Sequence, residues 1–228
     1  MNIIITGTSR GIGLELVKIF SKNKKNRIIA LSRNIEPLKN LKAGKNLHYL
    51  SFDLSHNEPA EKLNKLVEDY LNQKVDILIN NAGLLVKKPF SQFLSEDFDQ
   101  LFATNVKGPV QLIQNLLPYL NPGSHIVNIG SMGGFQGSVK FPGLSLYASS
   151  KGALAVLSEC LAVELQPQNI FVNALAIGSV DTEMLHEAFP GYQAGVTSSN
   201  MASYIADFAM NGHKVYNGKI LPVSISTP

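Results

Sequence analysis

The sequence predicts an α/β fold: a doubly wound parallel sheet of about seven strands with helices on both faces. Three observations lead there. Short apolar runs alternate along the 228 residues with longer stretches of helical periodicity, the order that parallel strands and their crossover helices impose. The runs Ile3-Ile4-Ile5 and Ile77-Leu78-Ile79 are apolar at successive positions, as strands covered on both faces must be. The first run empties into a glycine-rich turn and then directly into a helical pattern.

Taken in order, Asn2–Thr6 reads as the first strand and Ile12–Ser21 as the first helix. Arg27–Ser32 and Leu47–Asp53 read as the second and third strands, Ala60–Leu71 as a helix and Val75–Asn80 as the fourth strand. A long helical pattern over Phe98–Leu120 precedes the fifth strand, His125–Gly130. Ala148–Leu165 is another long helix, followed by strands over Ile170–Ala176 and Ile220–Ile225. No internal repeat, low-complexity tract or linker divides the chain. One domain over residues 1–228 is therefore expected.

Composition narrows the function classes. Hydrophobic residues make up 45% and charged residues 16%, which is globular and argues against disorder. No uninterrupted apolar run reaches the length of a bilayer crossing, so no membrane partner is expected. Met1–Gly7 lacks a charged leader and a cleavage site, and reads as a strand that starts the fold. The single cysteine, Cys160, leaves no disulfide framework and no cysteine-based zinc site, which points to the cytosol. The five histidines are dispersed without ligand spacing, so no metal is assigned.

Charge is uneven: residues 1–88 hold 15 Lys+Arg against 8 Asp+Glu, and residues 89–228 hold 5 against 9. The lysines are scattered without aromatic interleaving. Solvated surface, not nucleic-acid binding, is the reading this supports.

The turn after the first strand is Thr6-Gly7-Thr8-Ser9-Arg10-Gly11-Ile12-Gly13. Glycines let a backbone turn tightly and approach a pyrophosphate, while free N–H groups at the helix start face the anion. The spacing is G-x3-G-x-G, not the commoner G-x-G-x-x-G, and a plain strand-to-helix turn could share it. Three further landmarks follow: Asn80-Asn81-Ala82-Gly83 at the end of the fourth strand, Ser131 at the end of the fifth, and Tyr147-Ala148-Ser149-Ser150-Lys151 opening the next helix. Together these resemble the classical branch of the short-chain dehydrogenase/reductase family, whose fold is a Rossmann-like sheet, and the landmarks cover nearly the whole chain.

That resemblance implies a nucleotide site and a catalytic tetrad. It assigns Gly7, Ser9, Arg10, Gly11, Ile12 and Gly13 to the nucleotide turn. An acid roughly 20 residues later would bond the ribose hydroxyl of NAD, but Arg33 stands there, 20 residues after Gly13. Arg10 and Arg33, with the Ser32 hydroxyl, suit a 2′-phosphate by charge and by bidentate geometry. NADP(H) is thus expected ahead of NAD(H), unless both are ordinary surface arginines. By resemblance Asp53 meets the adenine amino group and Leu54 supplies a backbone contact; a strand-end aspartate capping its own turn is the alternative. Ala82 and Gly83 leave room for the adenosine ribose, and Asn81 could tie neighbouring strands together.

The chain holds two Y-x3-K pairs, Tyr70/Lys74 and Tyr147/Lys151. The first falls on the wrong edge of the sheet. In the second, i and i+4 share one helix face, so the Lys151 ammonium could lower the phenol from its ordinary value of about 10. Tyr147 would then give a proton to a carbonyl oxygen or take one from an alcohol. Lys151 would also hold the nicotinamide ribose, Ser131 would stabilise the substrate oxygen, and Asn105 would break a helix and hold a water in the relay to Lys151.

Two departures qualify the match. Ser131 and Tyr147 are 16 residues apart, a longer loop than expected. Ile177-Gly178 stands where the family usually has Pro-Gly, although Val180 and Thr182 can still meet the nicotinamide carboxamide. Residues 183–199 occupy the place of a substrate lid. Phe135, Phe141, Leu144, Met184 and Phe189 suggest an apolar pocket for a small ketone, aldehyde or secondary alcohol.

A substrate borne on acyl carrier protein ranks lower, because Val110–Leu120 and Gly152–Leu165 carry no basic residue. The second of these helices is apolar on more than one face, and the family's dimers and tetramers make a homo-oligomer the expected assembly. Two rivals stand against an enzyme of this kind. A non-catalytic nucleotide sensor would have no need of Tyr147 with Lys151, and a nucleotide-sugar epimerase would carry a larger C-terminal part.

Overall fold

The computed structural model describes residues 1–41, 44–56 and 61–225. Seven parallel strands form one sheet in the order β3-β2-β1-β4-β5-β6-β7. In chain order these are β1 (Asn2–Thr6), β2 (Arg27–Ser32), β3 (Leu47–Ser51), β4 (Val75–Asn80), β5 (Leu120–Ile129), β6 (Phe171–Ile177) and β7 (Ile220–Val223). The strand order reverses between β1 and β4. In sheets of this kind the crevice outside the carboxyl ends at the reversal point is where ligands bind.

Alternation along each strand divides the core in two. Ile3 and Ile5 of β1, Ile77 and Ile79 of β4, and Val127 and Ile129 of β5 point to one face. There they meet α1 (Gly11–Lys22) and α8 (Ser198–Asn211) through Leu16, Val17, Phe20, Ala202 and Ile205. Ile4, Leu78 and Ile126 point the other way, onto α3 (Glu61–Leu71) and α5 (Gly108–Leu116). Ile3, Ile4 and Ile5 have no exposed surface, and each such burial contributes about 1.5–3 kcal/mol over leaving the side chain in water.

Four differences from the sequence reading bear on the site. The long helix expected over Phe98–Leu120 is instead α4 (Ser95–Phe102), a π-turn over Ala103–Lys107, and α5. The fifth strand starts earlier than His125, because Leu120 already pairs with Val75 before the register shifts and resumes at Ile77 with His125. The third strand stops at Ser51, leaving Phe52-Asp53-Leu54 in the loop beyond its carboxyl end. Helix α8 was not read from the sequence; its buried stripe mixes Met201, Ile205 and Phe208 with Ala202, Ala206 and Ala209, so half of it is alanine. Ala60, the expected start of α3, lies outside the described residues.

The remaining helices are α2 (Glu36–Lys39), α6 (Ser145–Glu164) and α7 (Glu183–Ala188). Over 18 of its 20 residues α6 reaches a mean hydropathy of 1.2, so by length and composition one helix among the described residues is apolar enough to cross a membrane, although Lys151 and Glu159 interrupt its apolar run. Its buried face, however, includes Ser150, Lys151 and Ser158 beside Leu154 and Ala162, and it packs on β5 and β6.

Candidate active site

A cleft of about 710 Å³ opens at the carboxyl ends of the strands. Gly7, Ser9, Arg10, Gly11, Ile12, Ser32, Arg33, Asp53, Leu54, Asn81, Ala82, Gly83, Ser131, Tyr147, Lys151, Val180 and Thr182 all line it. Residues from six strand ends and the starts of α1 and α6 thus share one space. Gly13 and Asn105 are the expected site residues that do not line it. Both sit behind the wall and shape it.

The glycine turn is built by close approach. Gly7 has φ +69°, and a Cβ there would come within 2.7 Å of the Ala82 Cα. A Cβ on Gly13 would run into the Gly7 carbonyl. Asn81 fastens this contact: its Nδ2 donates to Thr6 O at 3.0 Å and to Gly7 O at 3.1 Å. The Thr6 hydroxyl accepts from the N–H groups of Asn81 and Ala82, at 3.0 and 2.9 Å. The strand-tying role expected of Asn81 is therefore visible, and Thr6 is a partner that the sequence did not single out.

At the β2 end of the cleft, Ser32 donates its hydroxyl proton to Asn34 O at 2.8 Å. Asp53 Oδ1 accepts from the Ser55 N–H at 2.9 Å and from the Ser55 hydroxyl at 2.7 Å, so the aspartate caps its own turn while lining the cleft. Partial burial works to raise its carboxyl, but the Ser55 bonds, with Arg33 and His56 nearby, outweigh this and hold it below the ordinary range. Arg10 forms a two-pronged ion pair with Glu187 of α7, in which Nη2 donates to Oε2 at 3.1 Å. Nothing in sequence signals a contact across 177 positions.

On the α6 side of the cleft, Lys151 is 4% exposed and its Nζ donates to Ile129 O at 2.8 Å. Desolvation lowers this ammonium to about 8. Tyr147 is half-buried at the cleft wall. Burial pushes its phenol above the ordinary value, against the opposing contact with the Ser131 hydroxyl. The sequence reading had Lys151 lowering the phenol. Here the ammonium is turned to Ile129 O, and burial dominates. Ser131 also accepts the Gly133 N–H at 3.2 Å, which caps the short turn that follows.

Asn105 is fully buried within the π-turn. Its amide spans Leu84, with Oδ1 accepting the Leu84 N–H at 2.7 Å and Nδ2 donating to Leu84 O at 2.9 Å. Nδ2 also donates to the Ser150 hydroxyl at 2.9 Å. It holds the wall carrying Gly83, where a Cβ would lie 3.3 Å from Lys151 Nζ.

The outer part of the cleft is apolar, lined by Leu85, Phe141, Leu144, Met184, Phe189 and Tyr192. Phe135, expected there, lies elsewhere in its loop and does not line the cleft. Ile177 is in register with Val223 at the end of β6, so the strand runs one residue past its expected end at Ala176. Thr182 caps α7 by accepting the Leu185 N–H at 3.3 Å. Tyr70 and Lys74, the other Y-x3-K pair, are away from the cleft, with the Tyr70 hydroxyl on Lys45 O. Among the described residues no group of three His, Cys, Asp or Glu could hold a metal.

A glycine turn at the switch point, sharing its cleft with a tyrosine and a lysine one helical turn apart, defines a nicotinamide-nucleotide oxidoreductase as a class. Residues 1–193 match the family model described as short chain dehydrogenase, and the chain belongs to the short-chain dehydrogenase/reductase family, in its classical branch. Carbonyl reductase family member 4 of Xenopus tropicalis is 33% identical over 183 residues, which span 79% of this chain and 75% of that relative. A 4-hydroxyisoleucine dehydrogenase complexed with NADH is 25% identical with a TM-score of 0.84, covering 98% of this chain and 96% of that one. ElxO with NADP bound is 26% identical with a TM-score of 0.81, covering 98% and 96%. Both nucleotides thus occur among its structural relatives.

Proposed function

We propose that this protein transfers a hydride between NADP(H) and a small ketone, aldehyde or secondary alcohol, with Tyr147 as general acid and base. The observation that carries this reading is the single cleft in which Ser131, Tyr147 and Lys151 face the glycine turn, Arg10 and Arg33. The residues present fit a dinucleotide. A Cβ on Gly7 would fill the space beside Ala82, and two guanidiniums line the adenosine end. Gly7, Ser9, Gly11 and Ile12 would hold the pyrophosphate, Arg10 and Arg33 the 2′-phosphate, Asp53 and Leu54 the adenine, Asn81–Gly83 and Lys151 the riboses, and Val180 and Thr182 the carboxamide. When bound, the nicotinamide supplies or accepts the hydride at the substrate carbon.

Tyr147 Oη moves the proton. A phenol held above its ordinary value stays protonated at neutral pH, the form that donates to a carbonyl oxygen as charge builds on it. Ser131 hydrogen-bonds the same oxygen. Lys151 turns from Ile129 O toward a ribose and the phenol, and its charge there eases proton loss in the oxidative direction. Asn105 keeps the Leu84 wall in place and, through the opened π-turn, gives a water access to Lys151. Residues 183–199 close over the substrate as a lid, with Leu85, Phe141, Met184 and Phe189 packing on its apolar part.

A cytosolic homo-oligomer completes the reading. Phe90, Leu94, Phe98, Val156 and Val163 are exposed large apolar side chains, which an interface between copies would cover. The deciding experiment is a paired titration with NADPH and NADH read by thermal shift. Ligand at 100 times its Kd adds about 2.7 kcal/mol of stability. A preference for NADPH upholds the reading, a preference for NADH overturns the roles of Arg10 and Arg33, and silence toward both overturns the whole assignment.

A further inference from the structure

We propose that α7 carries an internal competitor for the cofactor: Glu187 and Glu183 take the groups that the 2′-phosphate and the pyrophosphate need. This rests on the NADP(H) reading of the cleft. The two carboxylates are four residues apart and so share one face of the helix. Glu187 meets both terminal nitrogens of Arg10, the fork-to-fork geometry with which a guanidinium holds a phosphate. Glu183 reaches the glycine turn itself: a Cβ on Gly11 would lie 3.5 Å from its Oε2 and 3.3 Å from Thr182 Cγ2. Arg10 therefore sees both acids.

Packing demands neither charge. Both glutamates are exposed, so their carboxylates are free to leave when a better anion arrives. The helix also has a second set of holds. Lys87 donates to Ala188 O at 3.1 Å and lies 4.0 Å from the Phe189 ring centroid. Helix α7 is thus held by contacts that a nucleotide leaves alone, from Lys87, and by contacts that it must replace, from Glu183 at its first residue and Glu187 beside its last. Phosphate binding at Arg10 and Gly11 displaces the glutamates and frees the lid to move while Lys87 keeps its hold. A purely structural role for Glu183 is the competing account, since an acid in the first turn also stabilises a helix.

The test measures Kd for NADPH and for NADH by nucleotide fluorescence in wild type, Glu187→Gln and Glu183→Gln, with hydrogen exchange of the 183–188 amides read in parallel. Glu187→Gln should tighten NADPH by up to about fivefold, the range of an exposed ion pair, and leave NADH unchanged. Glu183→Gln should tighten both nucleotides alike. Adenosine 2′,5′-bisphosphate, which bears the phosphate and no nicotinamide, should speed exchange in α7 of the wild type. An unchanged or weakened NADPH affinity in Glu187→Gln overturns the inference, as does a Glu183→Gln helix that loosens without any gain in affinity. If the wild type itself prefers NADH, the 2′-phosphate reading and the Glu187 half fall together. The Glu183 arm, read with NADH, then decides the rest.

Discussion

Asn105 and Leu84 exchange two hydrogen bonds, the side-chain amide of one pairing with the backbone N–H and C=O of the other as a neighbouring strand would. Asn105→Ala leaves both Leu84 groups without partners inside the protein. An unsatisfied buried group costs about 1–3 kcal/mol, so urea unfolding should show a loss at the upper end of that range. Ser150→Ala removes only the third contact of the amide and should cost less. Equal losses would mean that Leu84 is served by something else.

Tyr147→Phe removes the proton that the mechanism moves and keeps the ring. Turnover should fall by about 10²- to 10⁴-fold while the Kd for nucleotide changes little. Turnover at the wild-type level would sink the proposed chemistry.

Arg33→Asp replaces a guanidinium at the proposed adenosine end of the cleft with a carboxylate. Hydrogen bonds to charged groups are worth about 1.5–3 kcal/mol, so NADPH should weaken by roughly 10- to 100-fold and NADH far less. Equal weakening of the two nucleotides would refute the 2′-phosphate assignment.

His125 is 1% exposed, between Ala209 O on Nδ1 at 3.0 Å and the Asn173 amide on Nε2 at 3.0 Å. Its surroundings satisfy the neutral ring, and burial lowers its pKa to about 4. The unfolded chain, with a histidine near 6.5, binds the proton first. Stability is therefore full above about 6.5, falls as pH drops from there to about 4, and is level below that. The loss is about 3 kcal/mol. Urea midpoints at pH 7 and pH 4.5 should differ accordingly, and His125→Gln should flatten the slope.

Gly134 lies under α6. A Cβ there would stand 2.6 Å from Lys151 C and 2.6 Å from Gly152 N. Gly134→Ala must push α6 away from its place, and overpacking of this kind costs about 1–3 kcal/mol. Thermal unfolding should show the loss and turnover should fall with it, whereas a wild-type melting curve would place this contact elsewhere.

The sheet was legible because its signal is local. Ile3-Ile4-Ile5 and Ile77-Leu78-Ile79 announce burial on both faces without knowledge of their partners, and β1, β2 and β4 begin and end where the residues indicate. The cleft was legible because its residues sit at strand ends, which the alternation of elements locates. What escaped depends on contacts between distant segments. Helix α8 alternates Met201, Ile205 and Phe208 with buried alanines, and the small residues blunt its periodicity. The state of Tyr147 and Lys151 depends on which acceptor the ammonium finds, and Ile129 O is a backbone atom that no motif advertises. Tyr147 and Lys151 could be named from spacing together with position, and Ser131 from its strand end and the resemblance, but the Arg10–Glu187 pair could not.

The separation between α6 and α7 bears on how such an enzyme diversifies. Tyr147 and Lys151 ride on a helix packed along β5 and β6, so their placement is inherited from the most buried layer of the protein. Met184 lies on, and Phe189 and Tyr192 just after, a short helix held at its margins by one hydroxyl and two cations. Mutations that reshape the apolar end of the cleft can therefore accumulate without moving Tyr147 and Lys151. On the proposed chemistry, new substrates would become accessible to the lineage through this segment alone, with the proton donor inherited unchanged.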